Sequence, residues 1–408
     1  AFWLVVFKLN PLGPAIGFGF LSLLSCILLY LTAKNFGFKK AGIFASLLFA
    51  VSPLMINYGQ TMFNSYFLVS FTIFSFWAIS EFWLKKQHAW LFLAGIFAGI
   101  AVQANFLSYG FLLAMFIFLA VFKKKFLKNL LYFFGGVFLA ILPYLTFEVR
   151  HSFFNLKGFL SLATQSELVA KNFNFWLSIP AVFYKTIYYP LGNQNNFLTI
   201  ILLILSLVFL IFFLCQKKKD DFLKIIFLFW FFTAMGVRFY RGGLLDHYLG
   251  VIYPFVFLWF GYLFEKLISF KKRIFFYFCF IVLIIFQLSS FRFKVDNGFG
   301  MPSGWNMKAT KKAAKIIAED ASGKFNVANL LDGDTRGYAY RYLLSLSGKE
   351  PLGVESYPES DILYVITKVS EKEVFSYPVW EIYSFVPTKI EKSWTIKDNV
   401  KIFKLVKK

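Results

Sequence analysis

The chain has 408 residues, 59% of them hydrophobic and only 16% charged, with 59 phenylalanines and a mean hydropathy of +0.64. An ordinary soluble domain carries about 25% charge, so these figures exclude a disordered chain, a coiled coil and an ordinary soluble enzyme, and point to lipid as the main solvent. The net charge of +22 is unevenly placed: residues 292–408 hold 19 basic and 14 acidic residues, and the rest of the excess lies between apolar runs, which reads as a topology signal and not as a nucleic-acid face.

Residues 1–9 are apolar but too short to span a bilayer, and suit a juxtamembrane helix lying in the interface. Apolar runs then predict spans near 12–34, 40–57, 63–83, 88–104, 106–122, 128–147, 196–215, 221–237, 247–266 and 273–291. The loops alternate in charge. Lys34, Lys39 and Lys40 follow the first span, Lys85 and Lys86 the third, Lys123, Lys124, Lys125 and Lys128 the fifth. Lys217, Lys218 and Lys219 follow the seventh, and Lys271, Lys272 and Arg273 the ninth, whereas loops 58–62 and 104–106 carry no charge. The positive-inside rule makes the Lys-rich loops cytoplasmic, so the polar loop from Glu148 and everything after the last span are expected outside.

From about 292 the composition changes. Helices are predicted at Met307–Glu319 and Thr335–Leu346, and strands at Phe325–Leu331, 361–367, 379–386, 389–396 and 399–406, a small α/β domain. The predicted fold is a polytopic α-helical membrane protein of about ten spans, residues 1–291, with a C-terminal extracytoplasmic α/β domain, residues 292–408. The three cysteines, Cys26, Cys215 and Cys279, lie in or beside apolar runs and offer neither a disulfide framework nor a zinc site. The chain opens with Ala and, by this topology, outside, so a further span and loop are expected upstream of it.

Charges beside spans on the positive-poor face carry the most weight, because such charges are costly to place. The segment Arg238-Phe239-Tyr240-Arg241 through Asp246-His247-Tyr248 puts two arginines there, and arginine makes bidentate contacts to phosphate. Asp246 or His247 adds a proton carrier or a hydrogen bond; the alternative is a solvated hairpin touching headgroups. A second cluster, Tyr144, Glu148, Arg150 and His151, suits either a site or a surface ion pair of Glu148 with Arg150. Gln60 and Asn64, with Asn57, Gln103 and Asn105, are amides that bond a sugar or cap helices; Lys185 is a further cation among aromatics. Asp332 and Asp334 read as turn chemistry before they read as an acid pair. With three histidines, His88, His151 and His247, no His-rich metal site is assigned.

Together the run Asn10-Pro11, Lys34-Asn35-Phe36-Gly37, Ala41-Gly42, Ser52-Pro53 and Tyr58-Gly59-Gln60-Thr61, and the stretch Asp246-His247-Tyr248 with Tyr253-Pro254, resemble family 39 glycosyltransferases, the dolichyl-phosphate-mannose–protein mannosyltransferase-like membrane enzymes of the C type. The resemblance covers roughly residues 1–291 and rests on pattern and layout. It implies transfer of a sugar from a polyprenyl-phosphate donor to a glycan, lipid or protein acceptor at the outer membrane–water boundary. It also implies a catalytic carboxylate in the first outer loop, expected upstream of Ala1, and a second acidic position near Asn64, where this chain has an amide. The substrate-binding residues it leaves are Arg238, Arg241, Asp246, His247, Tyr248, Glu148, Arg150, Asn64 and Gln60. An inverting transfer needs a base for the acceptor and charge stabilisation for the departing phosphate, and a divalent metal on oxygen ligands is one way to help. Two rivals are a transporter or flippase of lipid-linked glycans, set back by the absence of a repeat, and a scaffold whose outer domain binds a partner.

Overall fold

The computed structural model describes residues 2–122, 125–158, 175–215, 220–238, 240, 244–269, 273–291, 301–386, 388–397 and 399–407. It divides into two compact units, Ala1–Phe291 and Arg292–Lys408.

The first unit is helical. Helix α1 (Phe2–Val6) lies on α2 (Leu12–Asn35), where a side chain at Gly13 or Gly17 would collide with Phe7 or Trp3. Next come α3 (Lys39–Val51) and α4 (Pro53–Gln60), which meet at a 64° bend. Pro53 cannot donate the hydrogen bond that would continue α3, and the Ser52 hydroxyl donates instead to the Pro190 carbonyl at 2.7 Å. Then follow α5 (Phe67–Lys85), α6 (His88–Ala104), α7 (Tyr109–Phe122), α8 (Phe126–Arg150), α9 (Phe175–Tyr188), α10 (Asn196–Leu214), α11 (Asp221–Arg238), α12 (Tyr253–Leu267) and α13 (Arg273–Ser290).

Each of the ten apolar runs contains a helix, but they are not equal. Among the described residues five helices are long and apolar enough to cross a membrane, six if α3 and α4 form one broken span. Helices α6 and α7 are apolar but shorter, and α11 carries Asp221, Lys224 and Arg238 within its 18 residues. Helix α9 lies between the sixth and seventh predicted spans, where no helix was expected; Pro180 and Lys185 interrupt its apolar pattern.

Packing follows the small residues. Helices α6 and α8 approach so closely that a Cβ at Gly95 would strike the Phe133 carbonyl oxygen, and one at Gly136 the Phe92 carbonyl oxygen. Backbones separated by glycine gain dispersion contacts that lipid cannot outcompete. Helix α12 is the axis of the bundle: every residue from Leu249 to Phe264 is buried, as expected of a helix apolar all round. Helices α2, α8, α10 and α13 instead expose large apolar side chains such as Phe20, Leu131, Val208 and Phe278, a surface suited to lipid.

The second unit is α/β. Its four strands, β1 (Phe325–Asn329), β2 (Ile362–Thr367), β3 (Thr388–Lys397) and β4 (Val400–Lys407), stand in the order β1-β2-β4-β3; β1 and β2 are parallel and the other pairs antiparallel. Strand β3 slips register between Ile390 and Lys392 and again between Thr395 and Lys397. Helix α14 (Met307–Asp320), capped by the Asn306 side chain on the Lys308 and Ala309 amides, buries Ala309, Ala313 and Ile317 in one core. Helix α15 (Tyr338–Leu346) connects β1 to β2 and shares that core through Tyr340 and Leu344. The short helices α16 (Glu371–Val374) and α17 (Trp380–Tyr383) supply Val374 and Ile382 to the core on the other face of the sheet. The strand expected at 379–386 is thus α17 and a turn. Ile382 and Phe385, three apart, are both buried, which is a helical spacing and not the alternation of a strand.

Candidate active site

Where the helices converge beside the segment Leu244–Leu249, one acidic residue gathers side chains from distant parts of the chain. The Tyr58 hydroxyl on α4 donates to Asp246 Oδ2 at 3.1 Å, and the Tyr253 hydroxyl on α12 donates to the Asp246 backbone carbonyl at 2.6 Å. His247 Nδ1 lies 3.4 Å from Asp246 Oδ1. Tyr66 stacks on Tyr58 with centroids 3.8 Å apart, Phe63 meets the edges of both Tyr66 and His247, and Tyr248 packs against His247 and Tyr240. From α9, the Lys185 ammonium donates to the Leu244 carbonyl at 3.1 Å and the Tyr189 hydroxyl to the same oxygen at 3.4 Å. The result is one carboxylate walled by tyrosines, with a histidine and a lysine beside it. An apolar cleft lined by Phe18, Ser22, Met55 and Phe67 opens against Tyr58 and Tyr66.

Arg238, at the end of α11, is buried, and its guanidinium donates to Ser178 Oγ on α9. A buried guanidinium is stable only with partners that match its donors. Arg241 lies outside the described residues. Asn64 is exposed and its side chain accepts from the Ser65 amide at 3.0 Å; Gln60 is exposed at the end of α4. Asn64 directly follows Phe63, the ring that touches His247, and Gln60 precedes it by three positions.

Glu148 and Arg150 form a different place. Glu148 is buried, and its carboxylate accepts from Asn155 Nδ2 at 2.6 Å and from the Leu156 amide at 3.0 Å. The ion pair of Glu148 with Arg150 offered by the sequence is absent among the described residues, because residues two apart on a helix face away from each other. No hydrogen bond or ion pair between described residues joins either one to Asp246 or His247. Among the described residues, no group of three His, Cys, Asp or Glu is placed to hold a metal ion.

The opposite end of the bundle is built for anchoring. Glu265 accepts from the Ala41 amide at 2.5 Å, at the N-terminus of α3, where a carboxylate is favoured by the helix dipole. Asp220 accepts from Tyr262 and Lys266, and Glu81 from Asn35 and Lys85.

Residues 6–147 match the dolichyl-phosphate-mannose-protein mannosyltransferase family. The family read from the sequence is the family found by this match. It covers α2 to α7 and most of α8, and so includes Tyr58, Phe63 and Tyr66. Among curated proteins, none matches the sequence. The fold is shared with ArnT from Cupriavidus metallidurans bound to undecaprenyl phosphate, at a TM-score of 0.58 and 8% identity over 99% of this chain and 86% of that one. The apo state of the same ArnT gives a TM-score of 0.56 at 8% identity, covering 99% and 85%. The archaeal oligosaccharyltransferase AglB from Archaeoglobus fulgidus, in complex with an inhibitory peptide and a dolichol-phosphate, aligns at a TM-score of 0.47 and 13% identity, over 94% of this chain and 61% of that one.

The apolar runs were plain in the sequence, and so was the Asp246-His247-Tyr248 cluster. Tyr58, Tyr66 and Tyr253 were not singled out as its partners. Tyr58 sits among amides 188 residues from Asp246, and nothing local marks it as a wall residue.

Proposed function

We propose that this chain is a membrane glycosyltransferase that moves a sugar from a polyprenyl-phosphate donor to an extracytoplasmic glycan, lipid or protein acceptor. The observation that carries the reading is the family match over residues 6–147, which includes the helices that bring Tyr58 and Tyr66 to Asp246. The shared fold with an undecaprenyl-phosphate-bound ArnT supports it.

In this reading about ten spans cross the membrane, the Lys-rich loops face the cytoplasm, and the unit Arg292–Lys408 stands outside. Arg238 and Arg241 take the donor phosphate, whose charge grows as the sugar leaves; fixed guanidinium donors stabilise that charge without reorganising. Tyr58, Asp246 and His247 form the wall at which the sugar is oriented, and Tyr248, Asn64 and Gln60 lie along its rim. Asp246 already accepts a hydrogen bond from Tyr58, and Glu148 accepts two, so lone pairs that a base for the acceptor would use are engaged within the protein. Neither is assigned that role, and Glu148 with Arg150 is placed at the edge of the acceptor side. The divalent metal offered by the sequence reading is given no ligands here.

The test is transfer of radiolabelled sugar from a polyprenyl-phosphate donor by the protein in proteoliposomes, with binding of polyprenyl phosphate measured alongside. Transfer with retention of the lipid phosphate supports the reading. Movement of intact lipid-linked glycan across the bilayer without transfer would replace it with the flippase.

A further inference from the structure

The second unit concentrates its exposed apolar side chains in one short segment. Seven large hydrophobic side chains are exposed among its described residues, and four of them, Phe375, Trp380, Tyr383 and Val386, fall within twelve consecutive positions. Scattered exposed apolar residues need no explanation, whereas a concentration of them marks a contact surface. The local structure explains how it arises. Trp380, Tyr383 and Val386 follow one another at intervals of three through α17 and the turn after it, while Ile382 and Phe385 point the other way into the core. The outward residues are 53%, 76% and 58% exposed, so the segment is anchored on one side and bare on the other.

We propose that this face rests in the interfacial layer of the bilayer that the first unit spans. Three observations select lipid over other occupants. The unit follows α13 in the chain, and α13 is long and apolar enough to cross a membrane, so the unit is tethered to a bilayer. The composition is that of an interfacial belt: Trp and Tyr carry an apolar body with a polar tip, and Phe375 and Val386 offer only apolar surface. A sugar would stack on the two aromatic rings but gains nothing from an exposed valine. The charges around the face are mixed, with Lys372 and Lys389 exposed beside Glu371 and Glu373, and Lys407 donates to the Pro358 carbonyl at 2.6 Å. Burial of rings and aliphatic surface, and not attraction to anionic headgroups, therefore holds the contact, and a zwitterionic bilayer suffices.

The experiment uses the full chain in phosphatidylcholine nanodiscs, with Cys26, Cys215 and Cys279 replaced by serine or alanine. Spin labels are placed singly at Tyr383→Cys and Val386→Cys, and at the exposed Ser322→Cys as a reference. Both test positions are exposed, so a label there does not disturb the core. At 383 and 386 the label is expected to collide more with oxygen and less with a water-soluble nickel chelate, while at 322 the chelate dominates. The preference is expected to persist when anionic lipid is added. Chelate access at 383 and 386 equal to that at 322 would overturn the proposal. So would protection from both reagents, which would mean that protein covers the face, or protection that appears only on adding soluble glycan.

Discussion

Tyr58 and Asp246 stand 188 residues apart in the chain and are joined by one hydrogen bond of 3.1 Å, with Tyr66 stacked on the ring of Tyr58 from the other side. Replacing Tyr58 with Phe keeps the ring and its stack and removes only the donor. Hydrogen bonds to a charged group contribute about 1.5–3 kcal/mol. Tyr58→Phe is therefore expected to lower sugar transfer roughly tenfold or more, with a melting temperature near that of the parent. Unchanged transfer would separate this wall from the chemistry.

The two arginines give a second prediction. Arg241→Ala is expected to weaken binding of polyprenyl phosphate by about tenfold or more, and Arg241→Lys to rescue poorly because lysine lacks the planar fork. Arg238→Ala should lose the same binding, with a cost in stability as well, since Arg238 is buried on Ser178. Binding by the double alanine variant equal to that of the parent would remove the phosphate role.

Adjacent glycines on α8 make a controlled comparison. A methyl at Gly136 strikes the Phe92 carbonyl, whereas one at Gly135 lies 3.7 Å from the Phe92 ring. Gly136→Ala is expected to broaden the size-exclusion profile and lower the melting temperature, and Gly135→Ala to leave both unchanged. Equal behaviour of the two would mean that α6 and α8 are less closely packed than described.

The second unit should lose stability in acid. Burial alone would raise the pKa of Asp320, but hydrogen bonds from Tyr364, Lys392 and Lys404 outweigh it and hold the carboxyl below its usual range. A depressed folded pKa stabilises above the unfolded value, near 4, and the contribution is lost as pH falls through the folded value. Asp320→Asn is expected to cost about 1.5–3 kcal/mol at neutral pH and to flatten the decline below about pH 4. Melting temperatures followed from pH 7 to pH 2.5 check both the sign and the window.

Sidedness is tested by labelling. An engineered cysteine at Ser322 is expected to react with an impermeant reagent in intact cells, and one at Lys124 only after permeabilisation. The reverse pattern would overturn the topology and the function that depends on it.

What the sequence disclosed tracks how local the cause is. The apolar runs located a helix in each expected segment because solvation by lipid is read residue by residue. The run 40–57 reads as one span in the sequence; the structure bends it by 64° at Ser52–Pro53 and anchors the bend on Pro190. Helix α9 was missed because Pro180 and Lys185 spoil its apolar pattern, and α17 was taken for strand because Val379, Trp380, Ile382 and Tyr383 favour both states. In the site, Asp246 and His247 were visible as charges in an uncharged setting. Their walls were not: Tyr58 and Tyr253 entered only as part of a family pattern and Tyr66 not at all, because their contact with Asp246 and with each other exists only once distant segments fold together.

The sheet of the second unit has a consequence for molecules crowded side by side in one membrane. Confinement to a plane raises the local concentration of neighbours, and an open strand edge would then invite one copy to zip onto the next. Both edges are closed to this. On β1, Leu352 donates to the Phe325 carbonyl and Asn326 bonds to Gly353, so the outer rim is already engaged. On β3, two register slips and the side chains of Lys389, Lys392 and Lys397 leave no straight, neutral ladder. The protein can accordingly reach high surface density without forming strand-linked chains.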